Sequence, residues 1–262
     1  MSLPPVSRGT EITSGGPDTT RWYGEDIAYI HDVGHAEFAL RSAPGILEIL
    51  DRNGIRDGLV VDLGCGSGLW ARELVDAGYR VLGIDISWAM IELSRKKVPE
   101  AEFRVGSLFE VEIPRCRAVT AVSEVLNYLF DPENENLGLG RLVRRVHDAL
   151  VPGGVFVFDA LGPGQVPPGA RTKGFRLGED WAVLSELEED TERGTMERRI
   201  VSFRKVGELY RRDEEVHRVR LYDPTGVSAE LERAGFQVRT MRSYGDLPLS
   251  EGHTAFVARK LQ

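Results

Sequence analysis

Apolar and polar positions along the chain switch repeatedly between two periods. Residues 36–53 carry apolar side chains at helical spacing, and Asn53-Gly54 stops the run. Leu59-Val60-Val61 is a short β-type run that feeds into a glycine-rich segment, after which helical spacing resumes through Trp70, Leu74 and Val75. Tyr79–Ile84 predicts a strand, and Ser87 is placed to cap a helix over Trp88–Lys97. Glu102–Val105 and Ala118–Val122 predict further strands, and the later part of Glu133–Leu150 is helical in spacing. Pro152-Gly153-Gly154 reads as a tight turn into a strand over Val155–Asp159. Strands alternating with helices imply a parallel sheet covered on both faces.

The alternation ends after Leu161. Gly162–Gly169 is a Pro/Gly loop, followed by three segments of period two: Asp180–Asp190, Thr195–Arg204 and Glu215–Tyr222. Glu192-Arg193-Gly194 suits a hairpin turn between the first two. These segments predict a three-stranded antiparallel meander inserted into the α/β domain. Asp223–Ala234 then reads as a helix ended by Gly235, with closing strands at Phe236–Met241 and Thr254–Ala258. The expected fold is α/β: a Rossmann-like, doubly wound, mostly parallel seven-stranded sheet whose last strand is antiparallel, plus the meander. Residues 1–20, rich in Pro, Gly, Ser and Thr, read as a disordered tail. Residues 21–262 read as one domain, with 163–222 as the inserted, substrate-side part.

Composition narrows the class. The chain has 262 residues, 42% hydrophobic and 28% charged, which suits one soluble domain. No apolar run approaches the roughly 18 residues of a membrane span, and the N-terminus lacks a secretory pattern. A cytoplasmic monomer or homodimer without a membrane partner is the expectation. The two cysteines and five histidines show neither a disulfide framework nor metal-ligand spacing, so no metal is expected. A net charge of −8 repels phosphate backbones, which disfavours a nucleic-acid partner. The one arginine-rich stretch, Glu186 to Arg220, carries about as many acids, as a solvated strand surface does.

The glycine-rich segment carries the chemistry. A turn between a parallel strand and a helix collects backbone N–H groups and the positive helix end at one spot. Two ligand classes use such turns. The dinucleotide spacing G-x-G-x-x-G fails from Gly64, because Leu69 stands at its third glycine, and fits only when shifted into the helix from Gly66. The spacing Asp62-x-Gly64-x-Gly66-x-Gly68 fits at every position. A carboxylate at the strand end would repel a pyrophosphate and welcome a cation. Asp85, at the end of the next strand, is placed to accept from both hydroxyls of a ribose.

Asp62-Leu63-Gly64-Cys65-Gly66-Ser67-Gly68, then Gly83-Ile84-Asp85-Ile86-Ser87, then Leu150-Val151-Pro152-Gly153-Gly154 resemble the ordered motifs of class I S-adenosylmethionine-dependent methyltransferases. The resemblance covers residues 36 to 160 and, more loosely, the C-terminal helix and strand pair. It implies S-adenosylmethionine as cofactor and a small-molecule methyl acceptor. Gly64, Cys65, Gly66 and Gly68 would border the methionine part, and Asp62 its amino group. Asp85 would bind the ribose and Ile86 pack on the adenine, with Ser107 and Leu108 at its edge. Many family members carry an acid where Ser107 stands, to accept from the adenine amino group. Glu124 to Asn127 would flank the sulfonium and the acceptor.

A methyl group on a sulfonium is already activated, so alignment is the main task. A hydroxyl acceptor also needs a base, and Glu124, His31 and His253 are the candidates. Tyr23 and Tyr29 stand beside His31 as a possible lid, and Asn127, Tyr128 and Trp181 complete the expected substrate side. Trp70 and Trp88 read as core residues. Two rival readings stay open at this point: an NAD-dependent oxidoreductase, motivated by Gly66-x-Gly68-x-x-Ala71 with Asp85, and a non-catalytic S-adenosylmethionine-binding module.

Overall fold

A computed structural model describes residues 22–129 and 131–261, with the side chains of residues 132, 133 and 135–137 left aside. The tail predicted over residues 1–20 lies outside the described residues. Two helices open the chain, α1 (Glu25–Gly34) and α2 (Ala36–Arg52). The alternating core follows: β1 (Leu59–Leu63), α3 (Leu69–Asp76), β2 (Arg80–Asp85), α4 (Trp88–Lys97), β3 (Glu102–Val105), β4 (Cys116–Ala121), α5 (Pro132–Ala149) and β5 (Leu150–Leu161). The inserted sheet holds β6 (Thr172–Leu177), β7 (Trp181–Asp190), β8 (Thr195–Val206) and β9 (Leu209–Arg220). The chain closes with α6 (Pro224–Arg233), β10 (Phe236–Met241), a small hairpin of β11 (Ser243–Tyr244) and β12 (Leu247–Pro248), and β13 (His253–Lys260).

The main sheet has seven strands in the order β10-β13-β5-β4-β1-β2-β3. β13 runs antiparallel to both neighbours, and the ladders joining β5, β4, β1, β2 and β3 are parallel. This is the seven-stranded arrangement expected. Central strands are buried on both faces, which is why Val60, Val61, Val119, Val155 and Val157 form unbroken apolar runs with their neighbours. One face packs on Ile46, Ile49 and Leu50 of α2 and Trp70, Ala71 and Leu74 of α3. The other packs on Leu142, Val143 and Val146 of α5 and Val227 and Leu231 of α6. Ser87 caps α4 by accepting from the Met90 N–H at 3.2 Å, and Asp223 caps α6 by accepting from the Gly226 N–H at 2.8 Å. The order reverses between β1 and β4, and in such sheets a crevice opens at the carboxyl ends of the strands beside that point.

The inserted sheet has four strands, order β6-β7-β8-β9, where three were expected. β6 is an edge strand exposed along its whole length, so no buried face imposes alternation on its sequence. β9 also begins earlier than expected, at Leu209, because its first half is exposed on both faces. Asn127 ties the insertion to the main sheet. Its amide donates to the carbonyls of Leu161 (2.8 Å) and Arg220 (2.5 Å), and its oxygen accepts from the Leu161 N–H at 3.1 Å. Trp70 is buried as expected, whereas Trp88 is half exposed at the open start of α4.

Helix α1 bridges the two sheets. Toward the main sheet, Asp32 accepts from the Ser67 hydroxyl at 2.6 Å and pairs with Lys97, and the Tyr23 carbonyl accepts from Ser87 at 2.8 Å. Toward the inserted sheet, Asp26 pairs with Arg204 and Arg211, and the Tyr29 hydroxyl donates to Asp180 at 3.0 Å. The Tyr23 and Gly24 N–H groups also donate to Glu215, at 2.9 and 3.0 Å.

Candidate cofactor and acceptor site

The glycine turn after β1 has all three of its glycines at positive φ, Gly64 at 68°, Gly66 at 53° and Gly68 at 82°. Only glycine adopts this region without a steric cost. At Gly64 a second constraint applies, since an added Cβ would stand 2.2 Å from Val125 Cγ1. At Gly66 nothing lies within 4 Å of that position, so the turn presents bare backbone to the space before it.

That space is a cavity of about 1100 Å³ at the carboxyl ends of β1, β2 and β4. Its polar wall includes Asp62 and Asp85. Asp62 is 2% exposed and accepts from the Thr120 hydroxyl at 2.8 Å, and Thr120 in turn accepts from the Trp70 indole at 3.1 Å. Burial pushes the Asp62 carboxyl up to about 7, with Asp85 adding to the rise and Thr120 opposing it. Asp85 accepts from the Gly66 N–H at 2.9 Å and the Ser87 N–H at 2.8 Å. Burial raises it to about 6 against those donors. Two carboxyls lifted this far by desolvation favour a cationic or hydroxyl-rich ligand, which would restore what burial removed. Cys65, Ile84, Ile86, Met90, Leu108 and Phe109 supply apolar surface to the same cavity.

Ser107 is turned away from the role expected of it. It is absent from the cavity wall, and its hydroxyl donates to Asp131 at 2.6 Å while accepting from the Phe109 N–H at 3.1 Å. Asp131, which does line the cavity, was missed in the sequence. Its position before Pro132 reads as an ordinary helix start, and nothing in spacing sets it against a residue 24 positions earlier.

A second cavity, of about 1560 Å³, lies between α1, α2 and the inserted sheet. Tyr23, His31, His35, Phe38, Ser123 and Tyr128 line both cavities. Tyr23 and Tyr128 share a hydrogen bond between hydroxyls at 2.9 Å. Burial is the main cause that lowers His31, to about 4, and His35 beside it adds to the effect. His31 is therefore neutral at pH 7, and its buried Nδ1 has no hydrogen-bond partner among the described residues.

Glu124 lines the second cavity only. It is held by Arg198, whose Nη2 donates to Oε2 at 2.9 Å, and lies 3.5 Å from His253 Nε2. Burial would raise its carboxyl, but Arg198 and His253 outweigh burial and hold it at about 2. Ser123 and Glu124 sit at positive φ, and their N–H groups both donate to the buried Asp159, at 2.9 and 2.8 Å. His253 lines neither cavity and stands behind Glu124. Tyr29 and Trp181 line neither cavity either. Tyr29 lies under Arg204, and Trp181 packs with Ile30 and Val183 beneath α1. Asn127 is fully buried in the backbone tie described above. Arg198 was not legible in the sequence; His217, a meander histidine that the sequence does offer as a candidate, has its Nε2 2.7 Å from Glu215 and its ring 4.9 Å from that of Tyr23. A strand of alternating charges conceals which members turn inward. Among the described residues no group of three or more His, Cys, Asp or Glu is arranged to hold a metal.

A doubly wound sheet with a glycine turn, two carboxyls raised by desolvation at adjacent strand ends and an adjoining second cavity defines a class: proteins that hold a nucleoside-type cofactor beside a second ligand. Comparison with known proteins sharpens the class. Residues 60–154 match the methyltransferase domain family. The ubiquinone biosynthesis O-methyltransferase of Alkalilimnicola ehrlichii is 32% identical over 115 residues, covering 41% of this chain and 43% of that protein. The chain thus spans about two-fifths of the length of that curated relative. Among solved structures, an S-adenosylmethionine-dependent methyltransferase from Clostridium acetobutylicum superposes with a TM-score of 0.75 at 18% identity, covering 90% of this chain and 98% of that one. The sugar N-methyltransferase KedS8 from Streptoalloteichus superposes at 0.74 and 17%, covering 100% and 99%. Residues 60–154 thus match a methyltransferase domain, and the chain has the fold seen in these S-adenosylmethionine-dependent methyltransferases.

Proposed function

We propose that this protein binds S-adenosylmethionine at the glycine turn and transfers its methyl group to a small molecule held in the second cavity. The observation that carries the reading is the junction: six residues, Tyr23, His31, His35, Phe38, Ser123 and Tyr128, belong to both cavities. When bound, the cofactor supplies a methyl group activated by the sulfonium. Asp62 is the group for its amino end, Asp85 for its ribose hydroxyls, and Ile86 and Leu108 for the faces of its base. The bare backbone at Gly66 suits close approach.

The chain's own residues then have to orient the acceptor, exclude water and, for a hydroxyl acceptor, take up a proton. α1 covers the junction and is clamped to both sheets, which keeps water out. Of the three proton-transfer candidates, His31 alone lines both cavities. Being neutral, it offers a lone pair to an acceptor at neutral pH. Glu124, held ionised by Arg198, is a weak base and serves to fix the acceptor cavity's floor. Tyr23 and Tyr128 position the acceptor through their paired hydroxyls.

The test is titration calorimetry with S-adenosylmethionine and with NAD, followed by mass spectrometry of a broad acceptor panel. Binding of the first, none of the second, and a 14-dalton gain on one acceptor is the expected result. Binding without transfer to any acceptor would sink the enzymatic reading. Binding of NAD alone would sink the cofactor assignment as well.

A further inference from the structure

The fixed charges on the wall of the second cavity do not balance. Arg41, Arg176 and Arg198 face Glu37 and Glu124. Both acids are already taken: Arg41 pairs with Glu37 at 2.9 Å, and Arg198 donates to Glu124 at 2.9 Å. Arg176 is left over. Its guanidinium donates to the Gly34 carbonyl at the end of α1, at 3.2 Å, and among the described residues no carboxylate pairs with it. We propose that Arg176 docks an anionic part of the methyl acceptor, a carboxylate or a phosphate, at the mouth of the second cavity. The proposal deepens the functional reading above and rests on it.

Strand register sets the direction of the side chain. Arg176 stands opposite Val183 in the ladder between β6 and β7, and opposed residues of an antiparallel pair share one face. Val183 lines the cavity and packs with Trp181 and Ile30 beneath α1. Arg176 is therefore on the α1 side of the sheet, whereas its neighbours Phe175 and Leu177 stand on the outer face, 70% and 71% exposed. A bond to one carbonyl uses one of five N–H groups, so the guanidinium keeps donors for a two-pronged grip on a carboxylate or phosphate. Its charge also reaches the junction. Burial lowers the His35 imidazole, and Arg176 adds to the fall. His35 lines both cavities, so the cation acts on the space where the acceptor lies. In a chain of net charge −8, a local cation is what admits an anion to that space. Tyr23, Phe38 and Tyr128 supply aromatic wall for the uncharged remainder of the acceptor.

Phenyl phosphate, benzoate and benzyl alcohol, one ring with three end groups, are the probes. Calorimetry on the full chain saturated with S-adenosylhomocysteine keeps the first cavity filled. At low salt the better anion should bind about five- to tenfold more tightly than the alcohol, between the range of an exposed ion pair and that of a charged hydrogen bond. Arg176→Gln should bring the anions to within about twofold of the alcohol. Arg52→Gln, which removes the same charge from an exposed pair on α2, should leave the preference intact. Preference for phenyl phosphate alone identifies a phosphate and for benzoate alone a carboxylate, and preference for both identifies a general anion dock; each supports the proposal. Equal binding of the three probes, an unchanged preference in Arg176→Gln, or the same loss in Arg52→Gln overturns it and leaves the functional reading standing. If S-adenosylhomocysteine does not bind the unmodified protein, that reading falls, and this one with it.

Discussion

At the scale of single residues, the site is a set of carboxyls whose partners decide their state. Asp62 was legible because it stands at a fixed place before the glycine turn. Its protonation was not legible, because desolvation depends on what surrounds it. Its carboxyl titrates at about 7 in the cavity wall, and a cationic amino group would pull that value down. Below about pH 7, binding must therefore expel a proton, and affinity for S-adenosylmethionine should fall by up to tenfold per unit as pH drops from 7 toward 6. Asp85, at about 6, adds a further loss below that pH if the ribose hydroxyls favour its charged form. Calorimetry between pH 5.5 and 7.5 reads this directly. Asp62→Asn should bind more weakly and keep only the part of the dependence that belongs to Asp85. A flat profile in the unmodified protein would refute the assignment of Asp62 to the amino group. Glu124 shows the opposite balance: an equally buried carboxyl is held at about 2, because Arg198 and His253 come from distant strands to meet it.

At the scale of elements, patterns that report burial were readable and those that do not were missed. The strands of the main sheet announced themselves through apolar runs, and the helices through one apolar face each. β6 and the first half of β9 carry no such mark, because neither face is covered. The turn between β1 and α3 was the most legible element, since glycine is the residue that tolerates its left-handed backbone. Gly64→Ala tests how tight that element is. The new Cβ would meet Val125 at 2.2 Å in a backbone region that alanine disfavours. The left-handed conformation costs about 1–2 kcal/mol and overpacking about 1–3 kcal/mol. A loss of roughly 2–5 kcal/mol in denaturant unfolding is expected from those two terms. Adding Val125→Ala should restore the overpacking part only. Full restoration would show that the backbone conformation carries no strain.

At the scale of the whole molecule, two sheets and a bridging helix make one unit. The main sheet builds the first cavity, the inserted sheet walls the second, and α1 joins them through Asp26, Asp32 and Tyr23. A ligand that binds this folded arrangement must stabilise the whole unit. Saturation with S-adenosylhomocysteine at 100 times its dissociation constant should contribute about 2.7 kcal/mol. For a chain of this size that is a rise in melting temperature on the order of 5–10 °C. Scanning fluorimetry with the ligand, and with NAD as the contrast, checks it. A rise with NAD and none with the homocysteine ligand would reverse the ranking of the two readings.

The sequence by itself determined the α/β alternation, the sheet's composition and the glycine turn with its two acids. Each of these depends on local spacing: periodicity within an element, or a residue at a fixed offset from a strand end. Only the tertiary structure decided which histidine reaches the junction, that Asn127 is a structural tie, that Trp181 and Tyr29 stand clear of both cavities, and that Asp131 lines the first cavity where Ser107 does not. Those outcomes join residues from separate elements, Asp131 with Ser107 across 24 positions and Arg198 with Glu124 across 74. Pairings of that kind are set by how sheets and helices pack, and chain spacing alone carries no record of them.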